Sequence, residues 1–388
     1  MNLERDFGYL GRGDIYLDTA CQSLRPQSVI DALNEYYTEY GSCGERVKYK
    51  WGKTVDEKIE AVRADVLKWL KLSPKEYFVS FTLNTTYGLN LILSQIKVDS
   101  VKKVYTSDIE HNSAFLPTIA LAKRAGCERV VLERNEDGSI DVSDVDFSGA
   151  VCVFSCVSNI DGRKLENMKE VVRKVRQAGG MVIIDAAQAM AHHHETIEKC
   201  EADAICFSAH KMYAPSLGVM VVRKSLLRKM EIGFIGGGMV DDVWQDRYKL
   251  SADDDGHVHT AFEAGLQAWG EIIALGEAIK WISAVEKSSR IKQQSERLFE
   301  FLQASKGVKI VNHEASPVIS FYHEKIDSHL LASGLSNKGI MARSGYFCCH
   351  YYLDKVKKLP PLLRFSLGYH NRDEDIDETI KVLERVFK

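Results

Sequence analysis

Between residues 77 and 222, short apolar runs alternate with longer segments whose apolar residues recur at helical spacing. Seven of these runs have the length and composition of buried strands. They cover residues 77–81, 103–106, 129–132, 150–155, 181–185, 204–208 and 218–222. Alternation of this kind predicts an α/β fold with a mostly parallel, seven-stranded sheet that carries helices on both faces.

The pattern changes near residue 270, where two long helical segments are followed by shorter strands and helices. This change predicts a smaller C-terminal α+β domain. We therefore divide the chain into an N-terminal arm of residues 1–20, a large domain of residues 21–269 and a small domain of residues 270–388. The arm is expected to pack with the small domain.

Composition and charge exclude several classes of protein. Apolar residues make up 45% of the 388 positions and charged residues 27%, as in soluble globular proteins. The net charge of 51 − 54 = −3 offers no basic excess for nucleic acid or anionic membranes. No apolar run approaches the roughly 20 residues of a membrane span, and the charged first residues predict no signal peptide. Nine cysteines, an odd number lying mostly in apolar runs, predict reduced thiols and a cytoplasmic protein.

Two predicted strands end in residues that can carry chemistry. Lys211 lies in the turn after residues 204–208, close to Ser208 and His210. A lysine packed at the edge of a sheet can lose its proton and form a Schiff base, whereas an isolated lysine in a loop is more commonly solvated. Asp185 ends the strand at 181–185, where it can pair with a cationic ring nitrogen or cap the next helix.

Three more strand ends carry polar side chains. Thr85 and Thr86 open a predicted helix, whose free amides and hydroxyls suit a phosphate, although simple helix capping explains either threonine alone. His111 follows the second strand, where it can stack on an aromatic cofactor or serve a structural role. Asn159 follows the fourth strand. Functional groups collect at the carboxyl ends of the strands in open α/β sheets, so we expect these side chains to lie together.

The ordered set of these segments resembles the class V, cysteine desulfurase-like branch of the fold type I pyridoxal-phosphate enzymes. The resemblance extends from about residue 16 to the C-terminus. The segments that carry it are Asn84-Thr85-Thr86, Glu110-His111-Asn112, Ser158-Asn159, Asp185-Ala186-Ala187-Gln188 and Ser208-Ala209-His210-Lys211.

This resemblance implies pyridoxal 5'-phosphate as the cofactor, bound covalently by Lys211. Asp185 would pair with the pyridine nitrogen, and His111 would stack on the ring and belong to the catalytic set. The implied polar contacts are those of the ring oxygen with Gln188 and Asn159, and those of the phosphate with Thr85, Thr86, Ser208 and His210.

The C-terminal segment supplies the reaction-specific part of the resemblance. Arg343-Ser344-Gly345-Tyr346-Phe347-Cys348 is similar to the Arg-Ser-Gly-x-x-Cys segment of the short-loop, SufS-like desulfurases, and Cys348 lies sixteen residues before Arg364. The family pattern implies that Arg364, with Arg343 and Asn159, binds the substrate carboxylate. It also implies a homodimer that converts L-cysteine to L-alanine, leaving sulfur as a persulfide on Cys348 for an acceptor protein. Selenocysteine is a further substrate of this type.

Some positions depart from the family pattern. Leu266 replaces the threonine that contacts the cofactor phosphate across the dimer, and Cys348 is followed by a second thiol, Cys349. The register of the motif favours Cys348 as the nucleophile. The departures leave open another class V enzyme acting on a small amino acid (an epimerase, C–S lyase or aminotransferase) or a non-catalytic sulfur-relay partner. No metal site is predicted, because the consecutive residues of the histidine tract at 192–194 would point about 100° apart on a helix.

Overall fold

The computed structural model describes residues 3–10, 13–45, 47–253, 257–285 and 289–388. The α-helices of this part of the chain are α1 Leu3–Phe7, α2 Gln27–Glu39, α3 Lys50–Trp69, α4 Thr85–Gln95, α5 Asn112–Ala125, α6 Met168–Gln177, α7 Trp269–Val285, α8 Arg290–Ala304, α9 Ser328–Ser336 and α10 Asp373–Val386. The strands are β1 Ile15–Tyr16, β2 Tyr77–Thr82, β3 Lys103–Ser107, β4 Glu128–Leu132, β5 Ala150–Ser155, β6 Met181–Asp185, β7 Ala204–Ser208, β8 Gly218–Arg223, β9 Val240–Val243, β10 Tyr248–Leu250, β11 Val308–Ile310, β12 Val318–His323, β13 Ile340–Met341, β14 Arg343–Gly345 and β15 Leu362–Ser366.

A seven-stranded sheet forms the centre of the molecule, with the strand order β2-β8-β7-β6-β5-β3-β4. Neighbouring strands from β7 to β4 run parallel, and β8 runs antiparallel to both β2 and β7. Helices α4 and α5 pack on one face, while α3, α6 and α7 pack on the other. Because both faces are covered, the central strands are apolar throughout rather than alternating. The predicted mixed α/β fold with its seven strands is confirmed.

A second, four-stranded sheet lies in the C-terminal part, in the order β11-β12-β15-β14. Its strands pair antiparallel and pack with α8, α9 and α10 around a separate apolar core. Strand β1 pairs with β13, and Asp18 forms a bridge to Ser366, so residues 15–18 join this part of the chain. Helix α7 packs instead into the core beside the large sheet. The domain boundary near residue 270 stays a prediction.

Two local features differ from simple sequence patterns. Thr54 and Glu57 have the spacing of a capping box, but α3 already begins at Lys50. Thr54 lies in the helix and its hydroxyl donates to the Lys50 carbonyl at 3.3 Å, which is the bond that a hydroxyl makes inside a helix.

The second difference is the histidine tract. The apolar spacing of residues 187–197 predicts an α-helix, and this prediction is wrong, because residues 187–192 form turns and only a short 3-10 helix follows at His194–Thr196. His193 is the residue before that helix, with φ −142°. The argument that the three imidazoles point about 100° apart assumed an α-helix, and it therefore does not apply to this tract. Among the described helices, none has the length and apolar content needed to cross a membrane.

Candidate active site

The carboxyl ends of β2, β3, β5, β6 and β7 open onto one cavity of about 320 Å³, which the loops around β14 and β15 close from the other side. All the site residues expected from the sequence line this cavity. They are Thr85, Thr86, His111, Asn159, Asp185, Gln188, Ser208, His210, Lys211, Arg343, Cys348 and Arg364. The expectation that the strand ends meet is therefore correct, whereas each residue's role toward a ligand stays a prediction.

One end of the cavity is a cluster of hydroxyls at the N-terminus of α4. Asn84 caps this helix by accepting the Tyr87 N–H at 3.0 Å. The Thr85 N–H donates to Ser208 Oγ at 2.9 Å, and the Thr85 and Ser208 hydroxyls lie 2.6 Å apart. Thr86 Oγ1 lies 2.6 Å from Ser113 Oγ. Free amides, hydroxyls and the positive end of the helix dipole together make this end suitable for an anion.

Asp185 and Lys211 line the same cavity. Asp185 ends β6, and its Oδ1 accepts the Ala187 N–H at 2.9 Å. Burial raises the pKa of Asp185, while this hydrogen bond and the charge of Lys211 oppose the rise. Burial lowers the pKa of Lys211, which Asp185 partly offsets and Arg364 reinforces. No described residue hydrogen-bonds the Lys211 amine. The cavity therefore contains an amine whose pKa is lowered and which has no partner among the described residues.

The two histidines of the cavity are neutral near pH 7. His111 caps α5, where its Nδ1 accepts the Ser113 N–H at 3.0 Å. Burial lowers the pKa of His111 to about 3, and the charges of Lys211 and Arg364 add to this effect. Burial and Lys211 likewise lower the pKa of His210 to about 4. Neither imidazole adds positive charge to a cavity that already holds a lysine and two arginines.

Arg343 and Arg364 face each other on the paired strands β14 and β15. Arg364 is 2% exposed, donates from Nη1 to the Asn159 carbonyl at 2.9 Å, and donates from Nη2 to Asp18 at 3.2 Å. Arg343 donates from Nε to Asp18 Oδ2 at 2.9 Å. Asp18 thus joins both guanidinium groups. Arg364 Nε has no hydrogen-bond partner among the described residues, which leaves a buried donor at the cavity.

The two adjacent thiols have opposite environments. Cys348 is exposed and lines the cavity, whereas Cys349 is fully buried and its thiol donates to Asn159 Oδ1 at 3.0 Å. Burial raises the pKa of Cys349 far above the usual range of a thiol. Phe347 and Cys348 both have left-handed backbone, with φ 48° and 59°. Asn159 Nδ2 donates to the Phe347 carbonyl at 2.8 Å and so holds this turn.

Two residues of the site were not predicted from the sequence. Asp18 and Cys21 belong to the N-terminal segment, and Cys21 lines the cavity. Asp18 follows a short strand, as the other site residues do, but nothing local indicates that it meets arginines more than 300 residues away. Gln188 contacts this segment too, by donating from Nε2 to the Ala20 carbonyl at 2.7 Å. Leu266 is 76% exposed and does not line the cavity.

Known proteins with the same architecture were then compared with this chain. The family model for aminotransferase class V matches residues 15–379. A probable cysteine desulfurase from Pyrococcus abyssi is 31% identical, over 96% of this chain and 94% of its own length. A cysteine desulfurase from Escherichia coli is 28% identical, over 96% and 93%. The apo structure of a cysteine desulfurase from Thermococcus onnurineus NA1 superimposes with a TM-score of 0.87 at 27% identity, covering 99% of this chain and 97% of that one. This chain therefore belongs to the aminotransferase class V family.

Proposed function

We propose that this protein is a pyridoxal-phosphate-dependent cysteine desulfurase, which converts L-cysteine to L-alanine and leaves the sulfur as a persulfide on Cys348. The observation that carries the proposal is one cavity lined by the exposed thiol of Cys348, the half-buried amine of Lys211 and the buried guanidinium of Arg364. The similarity to the probable cysteine desulfurase from Pyrococcus abyssi and to the cysteine desulfurase from Thermococcus onnurineus supports L-cysteine as the substrate.

The family implies pyridoxal phosphate, and the donor set of this cavity fits that group. Its phosphate needs amides and hydroxyls, which the α4 N-terminus provides with Thr85 and Ser208. Its ring nitrogen needs a carboxylate, which Asp185 provides, and its aldehyde needs an amine without another partner, which Lys211 provides. When bound, the cofactor supplies an electron sink for the negative charge that develops at the substrate α-carbon.

The residues around this position have complementary roles. Lys211 serves as the base that takes the α-proton, because its lowered pKa favours the neutral amine. Asp185 would hold the cofactor's ring nitrogen in its protonated form. The neutral His111 ring would stack on the cofactor without adding a cation beside Lys211. The other polar side chains around this position are those of Thr86, Gln188 and His210.

The two arginines orient the substrate. A guanidinium forms charge-assisted hydrogen bonds with a carboxylate, and the unpartnered Nε of Arg364 leaves one such donor available. Arg343 and Asn159 support that position. The Cys348 thiolate then attacks the substrate sulfur, so that one S–S bond forms as the C–S bond breaks. Cys349 is unsuited to this role because its thiol is buried and its pKa is raised.

We also propose that the enzyme is a cytoplasmic homodimer that passes its persulfide sulfur to an acceptor protein. The family resemblance implies the dimer, and several large apolar side chains are exposed and available to an interface. Leu83, Phe234, Trp244 and Leu266 are 43–76% exposed. We propose L-selenocysteine as a second substrate of the same chemistry.

Two measurements test the proposed function. The purified protein should show visible absorbance from the bound cofactor, and Lys211→Ala should lose it. With L-cysteine and a reductant, the wild type should release sulfide and alanine in equal amounts. Cys348→Ala should lose this activity, while the neighbouring control Cys349→Ala keeps it. A colourless wild-type protein contradicts the cofactor assignment. An epimerised or deaminated product formed by fully active Cys348→Ala contradicts desulfuration and points to another class V reaction.

A further inference from the structure

A second thiol opens into the same cavity as Cys348. Cys21 lies in the turn after β1, where its N–H donates to the Asp18 carbonyl at 3.0 Å. Its half-exposed side chain lines the cavity. The other cysteines are placed differently: Cys43, Cys127, Cys152, Cys156, Cys200, Cys206 and Cys349 do not line it. Two thiols far apart in the sequence therefore line one open cavity.

The cavity that Cys21 lines is rich in cationic side chains. Lys211, Arg343 and Arg364 line it together with Cys21. Positive charge in the cavity suits the transfer of a sulfur that reacts as an anion. Once alanine has left, the unpartnered Nε of Arg364, on a side chain that is almost entirely buried, is again a donor for an anion in this cavity.

We propose that Cys21 is a second sulfur carrier, which takes the terminal sulfur from the persulfide on Cys348. This inference rests on the proposed desulfurase function. The Cys21 thiolate attacks the terminal sulfur of that persulfide and forms a new S–S bond. The old S–S bond breaks, its electron pair stays on the Cys348 sulfur, and the proton lost by Cys21 is taken up there. One S–S bond replaces another, so the step consumes no oxidant or reductant.

The step has a consequence for stoichiometry. Once its sulfur has moved to Cys21, Cys348 is a free thiol again and can react with a second L-cysteine. Without a reductant or an acceptor, the chain would then store two transferable sulfurs. Each stored sulfur corresponds to one alanine released.

The experiment uses cofactor-loaded protein and L-cysteine, without reductant, and measures the alanine burst per cofactor-containing chain. The wild type should release two alanines, and Cys21→Ser and Cys21→Ala should each release one. Cys43→Ser, which removes an exposed thiol outside the cavity, should release two. Visible absorbance of each variant verifies that it is folded and loaded.

Peptide mapping then locates the sulfur. Arg25 precedes proline, so trypsin leaves Cys21 and Cys43 in one peptide. In the Cys43→Ser background Cys21 is the only cysteine of that peptide, and an alkylated persulfide there is the expected result. A one-alanine burst in the wild type, a polysulfide confined to Cys348, or a Cys21–Cys348 disulfide with sulfide released would overturn the carrier role while leaving desulfuration intact. A wild type without any burst overturns the proposed function, and the carrier role with it.

Discussion

Asn159→Ala removes the amide that holds the turn carrying Cys348. Its Nδ2 donates to the Phe347 carbonyl at 2.8 Å, and its Oδ1 accepts the Cys349 thiol at 3.0 Å. Both contacts are buried. The bond from Arg364 to the Asn159 main-chain carbonyl does not involve the amide and should survive. The substitution therefore separates support of the thiol turn from support of the arginine.

The expected loss follows from these contacts. A net hydrogen bond contributes about 1 kcal/mol, and a buried carbonyl left without a donor costs about 1–3 kcal/mol, so the variant should lose roughly 2–4 kcal/mol of stability. The turn also contains two consecutive left-handed residues, Phe347 and Cys348, each costing about 1–3 kcal/mol to maintain. Two main-chain restraints remain: the Cys349 N–H donates to the Tyr346 carbonyl at 2.8 Å across the turn, and the Asn112 N–H donates to the Cys348 carbonyl at 2.7 Å. We expect the turn to relax and displace the thiol.

A displacement of about 1 Å at a reacting group can cost about 10²-fold in rate. We therefore expect single-turnover persulfide formation to slow by about that factor in Asn159→Ala, and the thermal midpoint to fall by several degrees, with visible absorbance retained. Asn135→Ala is the matched control, because Asn135 is exposed and its amide bonds only within its own turn, to Ser139. If Asn159→Ala keeps the wild-type midpoint and the wild-type rate, the proposed support of Cys348 is refuted.

Three other predictions follow from the same geometry. Asp18→Asn leaves buried Arg364 without its carboxylate partner and should lower the free energy of unfolding by about 3–5 kcal/mol. The thermal midpoint should fall accordingly, and an unchanged midpoint contradicts the pairing. The pKa of His111 is about 3 in the folded protein and about 6.5 in the unfolded chain. Between these two pH values the unfolded state binds more protons than the folded state, so the free energy of unfolding falls as the pH is lowered through that window. The midpoint of the wild type should therefore fall more steeply from pH 6.5 to 4 than that of His111→Asn. Iodoacetamide should alkylate Cys348 in the folded protein but Cys349 only after unfolding, and equal labelling of the folded protein would argue against the buried thiol.

The local sequence pattern determined a large part of the fold of this protein. Each strand of the large sheet is a short apolar run that ends in polar or small residues, and this pattern survives in the fold because both faces of the sheet are covered. Parallel strands direct their carboxyl ends to one edge, which is why residues such as Asp185, Ser208 and Lys211 were brought together as expected. The turns at 187–197 were missed because apolar spacing alone does not reveal where a backbone stops forming helical hydrogen bonds.

Only the tertiary structure decided which distant segments complete the cavity. The pairing of β1 with β13 carries Asp18 and Cys21 to the arginines of β14 and β15, and no local pattern encodes that pairing. The environments of Cys348 and Cys349 likewise depend on Asn159, which a different part of the chain supplies. The sequence by itself specified the strand ends and the kinds of side chain there. Contacts between segments hundreds of residues apart determined which thiol is exposed and which carboxylate holds the guanidinium groups.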